Sequence, residues 1–337
     1  MIYLDNASST KPLFYPLSSA SNLWMNSNAN YFTNSKQELE RCEKKIKKLL
    51  GLNKGHIVFM RSASECADFL INKFKGQVTC SPYEHECVSE NVKCNLIKKG
   101  FTTLHFQMLV NNITGEIFDL SKVRQKEKCD YLVCDATATI GKIYLPNNIE
   151  NNCDALFFSG RKIHSTPIGV LWLNDSLFKY YGGTENDIRN NYGLFHGTTD
   201  VESVCALTTA LDFVMNNTYN NQDSWKQLND YLFKRLDEEK IKYNIISPQN
   251  KAEYLTLIEL PNINAESLQI YCMSKDCYIG IGRSTCSNKT DNNRILDLMN
   301  VKNKDNIIRI SYGLTTTSLD IDGFVKILKK YYNSFVK

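Results

Sequence analysis

The chain has 337 residues, 42% hydrophobic and 23% charged, with 40 Lys+Arg against 36 Asp+Glu for a net charge of +4. That length carries two domains, or one large and one small. A charge so small, with dispersed lysines, argues against a nucleic-acid partner, and the lack of a run of about 18 apolar residues argues against a membrane span. In chain order, the first helix is expected over Gln37–Leu50, where Leu39, Cys42, Ile46, Leu49 and Leu50 recur at helical spacing and Gly51 follows. A strand at His56–Met60 then meets the small-residue turn Arg61–Glu65 and a second helix through Phe69, Leu70 and Phe74. A turn of this kind presents backbone N–H groups at a helix N-terminus, which suits a phosphate.

Further strands are expected at Gln77–Cys80, Tyr131–Cys134, Ala155–Phe158 and Gly169–Leu173. Strands alternating with helices predict an α/β sheet, with ligands beyond the carboxyl ends of its strands. Asp135 and Ser159 follow two of those strands, and Lys162 sits between two apolar runs. Lys162 alone fits either a surface loop lysine or an amine in a desolvated pocket. After residue 215, helices at Trp225–Glu239 and Ala265–Lys275 flank a strand at Leu255–Leu260. A strand ending at Ser311 and a helix over Asp320–Phe335 close the chain. The expected division is a large domain over 12–215 and a small α+β domain from 1–11 with 216–337.

Twelve cysteines lie along the whole chain without a CxxC pair, and His is scarce at five. Zinc-type spacing is absent. The start, MIYLDNASST, turns polar at once, so no signal peptide is legible. Reduced thiols in a cytoplasmic compartment are the expectation.

Eight short motifs occur in one order: YLDNASST, FMRSASE, YEHECV, CDATATIGK, SGRK, GTTD, RSTCS and IIRISYG. Together they resemble the NifS-like cysteine desulfurases, a branch of the class V aminotransferases. The resemblance implies the fold type I architecture of pyridoxal 5′-phosphate (PLP) enzymes. That fold has a large α/β domain with a mixed, mostly parallel sheet and a smaller α+β domain. It implies PLP as cofactor, held through its carbonyl by Lys162, with Asp135 at the ring nitrogen and His85 stacked on the ring. It places the phosphate against Ala63, Ser64 and Ser159, with Thr198 reaching in from the second subunit of a homodimer. Arg309 would take the carboxylate of L-cysteine. Lys162 or His85 would move protons, and Cys286 would accept the sulfur as a persulfide. The stretch from Cys286 to Arg309 is expected to be a long loop that hands sulfur to an acceptor protein.

The departures are specific. Ala138 stands where the family has a glutamine, and Arg161 where it has a histidine. Arg283 and Thr285 alter the cysteine loop. The stretch between Leu120 and Tyr131 is shorter than the family's by a strand–helix unit. Two other readings stay open: a different class V PLP enzyme, such as a lyase or aminotransferase, or a homologue kept as a binding protein.

Overall fold

A computed structural model describes residues 1–16, 35–94, 102–185, 187–195, 197–282 and 294–335. The first strand, β1, is Ile2–Leu4. The next six are β2 (His56–Met60), β3 (Gln77–Cys80), β4 (Thr103–Met108), β5 (Tyr131–Asp135), β6 (Ala155–Ser159) and β7 (Gly169–Leu173). The last four are β8 (Asn244–Ile245), β9 (Leu255–Glu259), β10 (Cys277–Ile281) and β11 (Ile307–Ser311). The chain divides into two compact units, one of Lys11–Leu109 with Phe118–Thr218, the other of Met1–Thr10, Val110–Ile117 and Tyr219–Lys337.

The larger unit holds one six-stranded sheet in the order β2-β7-β6-β5-β4-β3. Strands β3 to β6 run parallel, and β7 runs antiparallel to both of its neighbours. β6 and β7 are buried at every position, as strands covered on both faces are. Their residues, ALFFS and GVLWL, are accordingly near-continuous apolar runs rather than alternating ones. The helix Ala63–Lys73 packs on β6 and β7, and the helix Ser35–Leu50 packs on the helix Val201–Asn216. Asp135 and Ser159 are the last residues of β5 and β6 rather than the first beyond them. The reason is pairing: Asp135 is in register with Met108 and Phe157, and Ser159 with Gly169. β4 has no counterpart among the strands expected above, although its sequence TLHFQM alternates polar and apolar residues; in the sheet its last five residues are all buried.

The smaller unit has a five-stranded sheet in the order β1-β10-β11-β9-β8, parallel only between β1 and β10. The segment Val110–Ile117 joins it by the bridge of Glu116 to Lys251 and the bond from Ala252 N–H to Gly115 O. Between Leu120 and Tyr131 a single helix, Leu120–Glu127, leads straight into β5. No described helix is long and apolar enough to cross a membrane.

Candidate functional site

The sheet edge where β2, β5 and β6 end collects the first set of residues. Met60 and Ser159 both pair with Gly169, the first residue of β7. Ser62 caps the helix Ala63–Lys73, its Oγ accepting the N–H of Glu65 at 3.1 Å, while Glu65 Oε2 accepts the N–H of Arg61 at 2.6 Å. This is close to a capping box, in which cap and third residue satisfy each other's end of the turn. The first backbone-to-backbone bond of the helix runs from Cys66 N–H to Ser62 O, so the amides of Ala63 and Ser64 point out of the helix end. Gly169 lets this turn sit down on the sheet. A Cβ there would lie 2.3 Å from Ser62 O and 3.0 Å from Ala63 N.

Asp135 is 4% exposed. Its Oδ1 accepts the N–H of Thr137 at 2.8 Å. Burial pushes the carboxyl up from the ordinary carboxylate range, while the Thr137 bonds and the charge of Lys162 pull it back. Lys162 ends a one-turn helix, Gly160–Lys162, that Ser159 caps by accepting the N–H of Arg161 at 3.3 Å. The loop after it folds back sharply, with Ile163 and Ser165 both bonded to Gly160 O and Gly160 N–H to Ile168 O. That turn answers why a lysine sits between two buried strands: β6 and β7 are antiparallel neighbours, and Lys162 rides on their connection. A second lysine stands behind it. Lys142 is 4% exposed and its Nζ donates to Lys162 O at 3.0 Å. Gly141, at φ +70° and with Val214 Cγ2 2.6 Å from where a Cβ would be, turns Lys142 inward. Burial, then the charge of Lys162, pulls Lys142 down to about 7.

His85 begins the turn into the helix Glu86–Cys94. Its Nδ1 lies 3.2 Å from Cys87 Sγ and accepts the Cys87 N–H at 3.2 Å. Cys87 also meets the Ser64 hydroxyl and feels the charge of Asp135. Ser64, His85, Asp135 and Lys162 are thereby linked through one neighbourhood. Thr198, which is exposed, lies on a cavity of about 730 Å³ with Met60, Arg61, Arg161, Asn191 and Ser203. Ala138 is buried and carries no polar side-chain atom into this edge.

Arg309 belongs to the smaller unit, in β11, and is 5% exposed. Its Nη2 donates to Asp5 Oδ1 and to Ser8 Oγ, both at 2.6 Å, and its Nη1 to Asn112 O at 2.8 Å. Its buried Nε has no hydrogen-bond partner among the described residues. Cys286, with Arg283 and Thr285, lies outside the described residues. The stretch toward Arg309 is not one long loop. It includes the helix Arg294–Leu298 and a one-turn helix at Lys304–Asn306, because Ile295 and Leu296 find buried places.

The aminotransferase class-V profile matches residues 91–324. The chain belongs to that family. The mitochondrial "probable cysteine desulfurase" of Dictyostelium discoideum is 24% identical over 89% of this chain and 74% of its own length. A "probable cysteine desulfurase" of Borreliella burgdorferi is 26% identical, over 66% of this chain and just 56% of its own. A solved NifS-like protein of Rickettsia africae superposes with a TM-score of 0.83 at 21% identity, covering 99% of both chains. The fold is therefore that of the NifS-like class V enzymes, and the cofactor of the family is PLP. The residues present fit it. The buried Asp135 carboxylate suits a protonated ring nitrogen, the outward amides of Ala63 and Ser64 suit a phosphate, and Lys162 offers an amine that suits the cofactor's carbonyl.

Two residues of these surroundings had only a faint trace in the sequence. Lys142 closes the CDATATIGK motif, but nothing in its spacing shows that it reaches the backbone of Lys162. Asp5 stands in the opening motif, 304 positions from the arginine it holds.

Proposed function

We propose that the chain is a PLP-dependent cysteine desulfurase, converting L-cysteine to L-alanine with the sulfur moved to Cys286. The observation that carries this reading is the buried Asp135 carboxylate under the charge of Lys162, at the sheet edge that also bears the Ser62-capped turn. PLP, when bound, supplies an electron sink for the substrate's Cα. The chain does the rest. Asp135 holds a proton at the ring nitrogen. The amides of Ala63 and Ser64, with the hydroxyls of Ser64, Ser159 and Thr198, bind the phosphate. Arg309 binds the substrate carboxylate, and Lys162 moves a proton at Cα. The Cys286 thiolate attacks the substrate sulfur, an S–S bond forms as the C–S bond breaks, and alanine leaves while Cys286 keeps a persulfide. A homodimer in which Thr198 serves the other subunit, a sulfur-accepting partner and a cytoplasmic location belong to the same proposal.

One observation favours a second reading. Ala138 offers no hydrogen bond to the cofactor, so another class V reaction on L-cysteine or a related amino acid, a lyase or aminotransferase, is the rival. The experiment is turnover of L-cysteine with product analysis and persulfide labelling, for the parent and for Cys286→Ser. Alanine from the parent and none from the variant, which keeps its cofactor, is the expected result. Pyruvate as the parent's product moves the assignment to a lyase, and equal alanine from both proteins removes Cys286 from it.

A further inference from the structure

Cys87 occupies a position that nothing in the desulfurase reading uses, yet it touches two residues that reading depends on. A backbone N–H can only donate, and the Cys87 N–H donates to His85 Nδ1 at 3.2 Å. Nδ1 therefore presents its lone pair and carries no proton. The Cys87 sulfur lies at 3.2 Å from the same atom, so of the two possible directions the thiol S–H is the donor. We propose that Cys87 is a positioning residue: its thiol and its backbone N–H together hold His85 in the Nε2–H form, so that His85 offers a proton donor at Nε2 and not a base.

The inference rests on the desulfurase reading only for its consequence, which is that Lys162 and not His85 takes the proton from the substrate's Cα. The donor stays a donor. Burial first, then the charge of Asp135, pushes the Cys87 thiol up to about 12, so it keeps its proton at neutral pH. The Ser64 hydroxyl on the helix Ala63–Lys73 acts the other way, favouring the thiolate, and is outweighed by burial. Other titratable groups acting on this pair include Glu84, whose Oε2 accepts the His85 backbone N–H at 3.2 Å, and Asp68 and Cys66 on the same helix as Ser64.

The test reads the ring nitrogens of His85 by ¹⁵N NMR in histidine-labelled, PLP-loaded protein, assigned with His85→Gln. The parent is expected to show an unprotonated Nδ1 and a protonated Nε2 at neutral pH. Cys87→Ala removes one of two donors that favour the neutral ring. It should raise the His85 pKa by about half a unit to one unit, the equivalent of one ordinary hydrogen bond, while the remaining backbone N–H keeps Nδ1 of the neutral ring unprotonated. Cys87→Ser should restore most of the parent's pKa. A protonated Nδ1 in the parent overturns the inference without any variant, and so does an unchanged titration in Cys87→Ala. Alanine formation does not enter these readouts. A pinned Nε2–H form in a protein that makes no alanine would sink the desulfurase reading and leave this one standing.

Discussion

Each unit buries a cationic centre, and the two solve the problem differently. In the larger unit the cations are lysines. Lys142 is enclosed, donates to the Lys162 carbonyl, and responds to burial by letting its proton go near neutral pH. In the smaller unit the cation is Arg309, which cannot shed its charge. It is therefore surrounded by acceptors: Asp5, Ser8 and the carbonyl of Asn112. The contrast teaches where each residue type is wanted. A lysine whose charge can be switched belongs beside a group that must give and take protons. An arginine belongs where a fixed planar charge must always be present, and the fold has to supply partners for it permanently.

The largest effect is expected from breaking the lysine side at its reactive member. Lys162→Ala should abolish reductive trapping of the cofactor completely. Borohydride reduction followed by peptide mapping checks this, with the label expected on the Lys162 peptide of the parent and nowhere in the variant. Label on Lys142 instead would show that the inner of the two lysines is the one that holds the cofactor. On the arginine side, Asp5→Ala leaves a permanent charge 5% exposed with its carboxylate partner gone. A loss of roughly 2–3 kcal/mol is expected, the size of a hydrogen bond to a charged group. Urea unfolding of the two proteins measures it. A loss below about 0.5 kcal/mol, the range of ordinary surface substitutions, would mean that Ser8 and Asn112 suffice for Arg309.

The two centres were not equally legible in the sequence. The lysine centre is local in the chain, and short-range patterns carried it. The apolar runs of β6 and β7 bracket Lys162, and Asp135 closes an apolar strand. The Ser-Ala-Ser-Glu turn marks its own helix start. The arginine centre is assembled from Asp5, Asn112 and Arg309, segments that meet only through sheet pairing and the excursion at Val110–Ile117. No periodicity reveals such a meeting; the opening motif and the IIRISYG motif named the residues without saying that they touch. The strand β4 was legible in principle, since TLHFQM alternates polar and apolar residues; what the alternation does not show is that His105 and Gln107, on its polar face, are buried as well. The contacts of Lys142 and Cys87 were illegible because they depend on which way a turn points a side chain, and that is set by Gly141 in one case and by the start of the helix Glu86–Cys94 in the other.

The last comparison separates the two solutions by pH. Burial and the Lys162 charge hold Lys142 at about 7 in the folded protein, whereas an unfolded lysine titrates near about 10.4. Below about 7 both states carry the proton, and the full cost of enclosing an ammonium weighs on the fold. Between about 7 and 10 the unfolded chain holds a proton that the folded chain has released, so stability contributed by this site rises with pH across that window. One proton sets the limit, about 1.4 kcal/mol per pH unit. Lys142→Met keeps the apolar stem and removes the titration, at the cost of the bond to Lys162 O. Urea unfolding of parent and variant at steps from pH 7 to 9.5 should therefore show the parent gaining on the variant as pH rises, while the thiols that also titrate there are common to both and cancel. Arg309 has no such window, so Asp5→Ala should lose the same stability at every pH in the series. Parallel curves for parent and Lys142→Met would place the folded-state titration of Lys142 at its ordinary value and erase the distinction between the two centres.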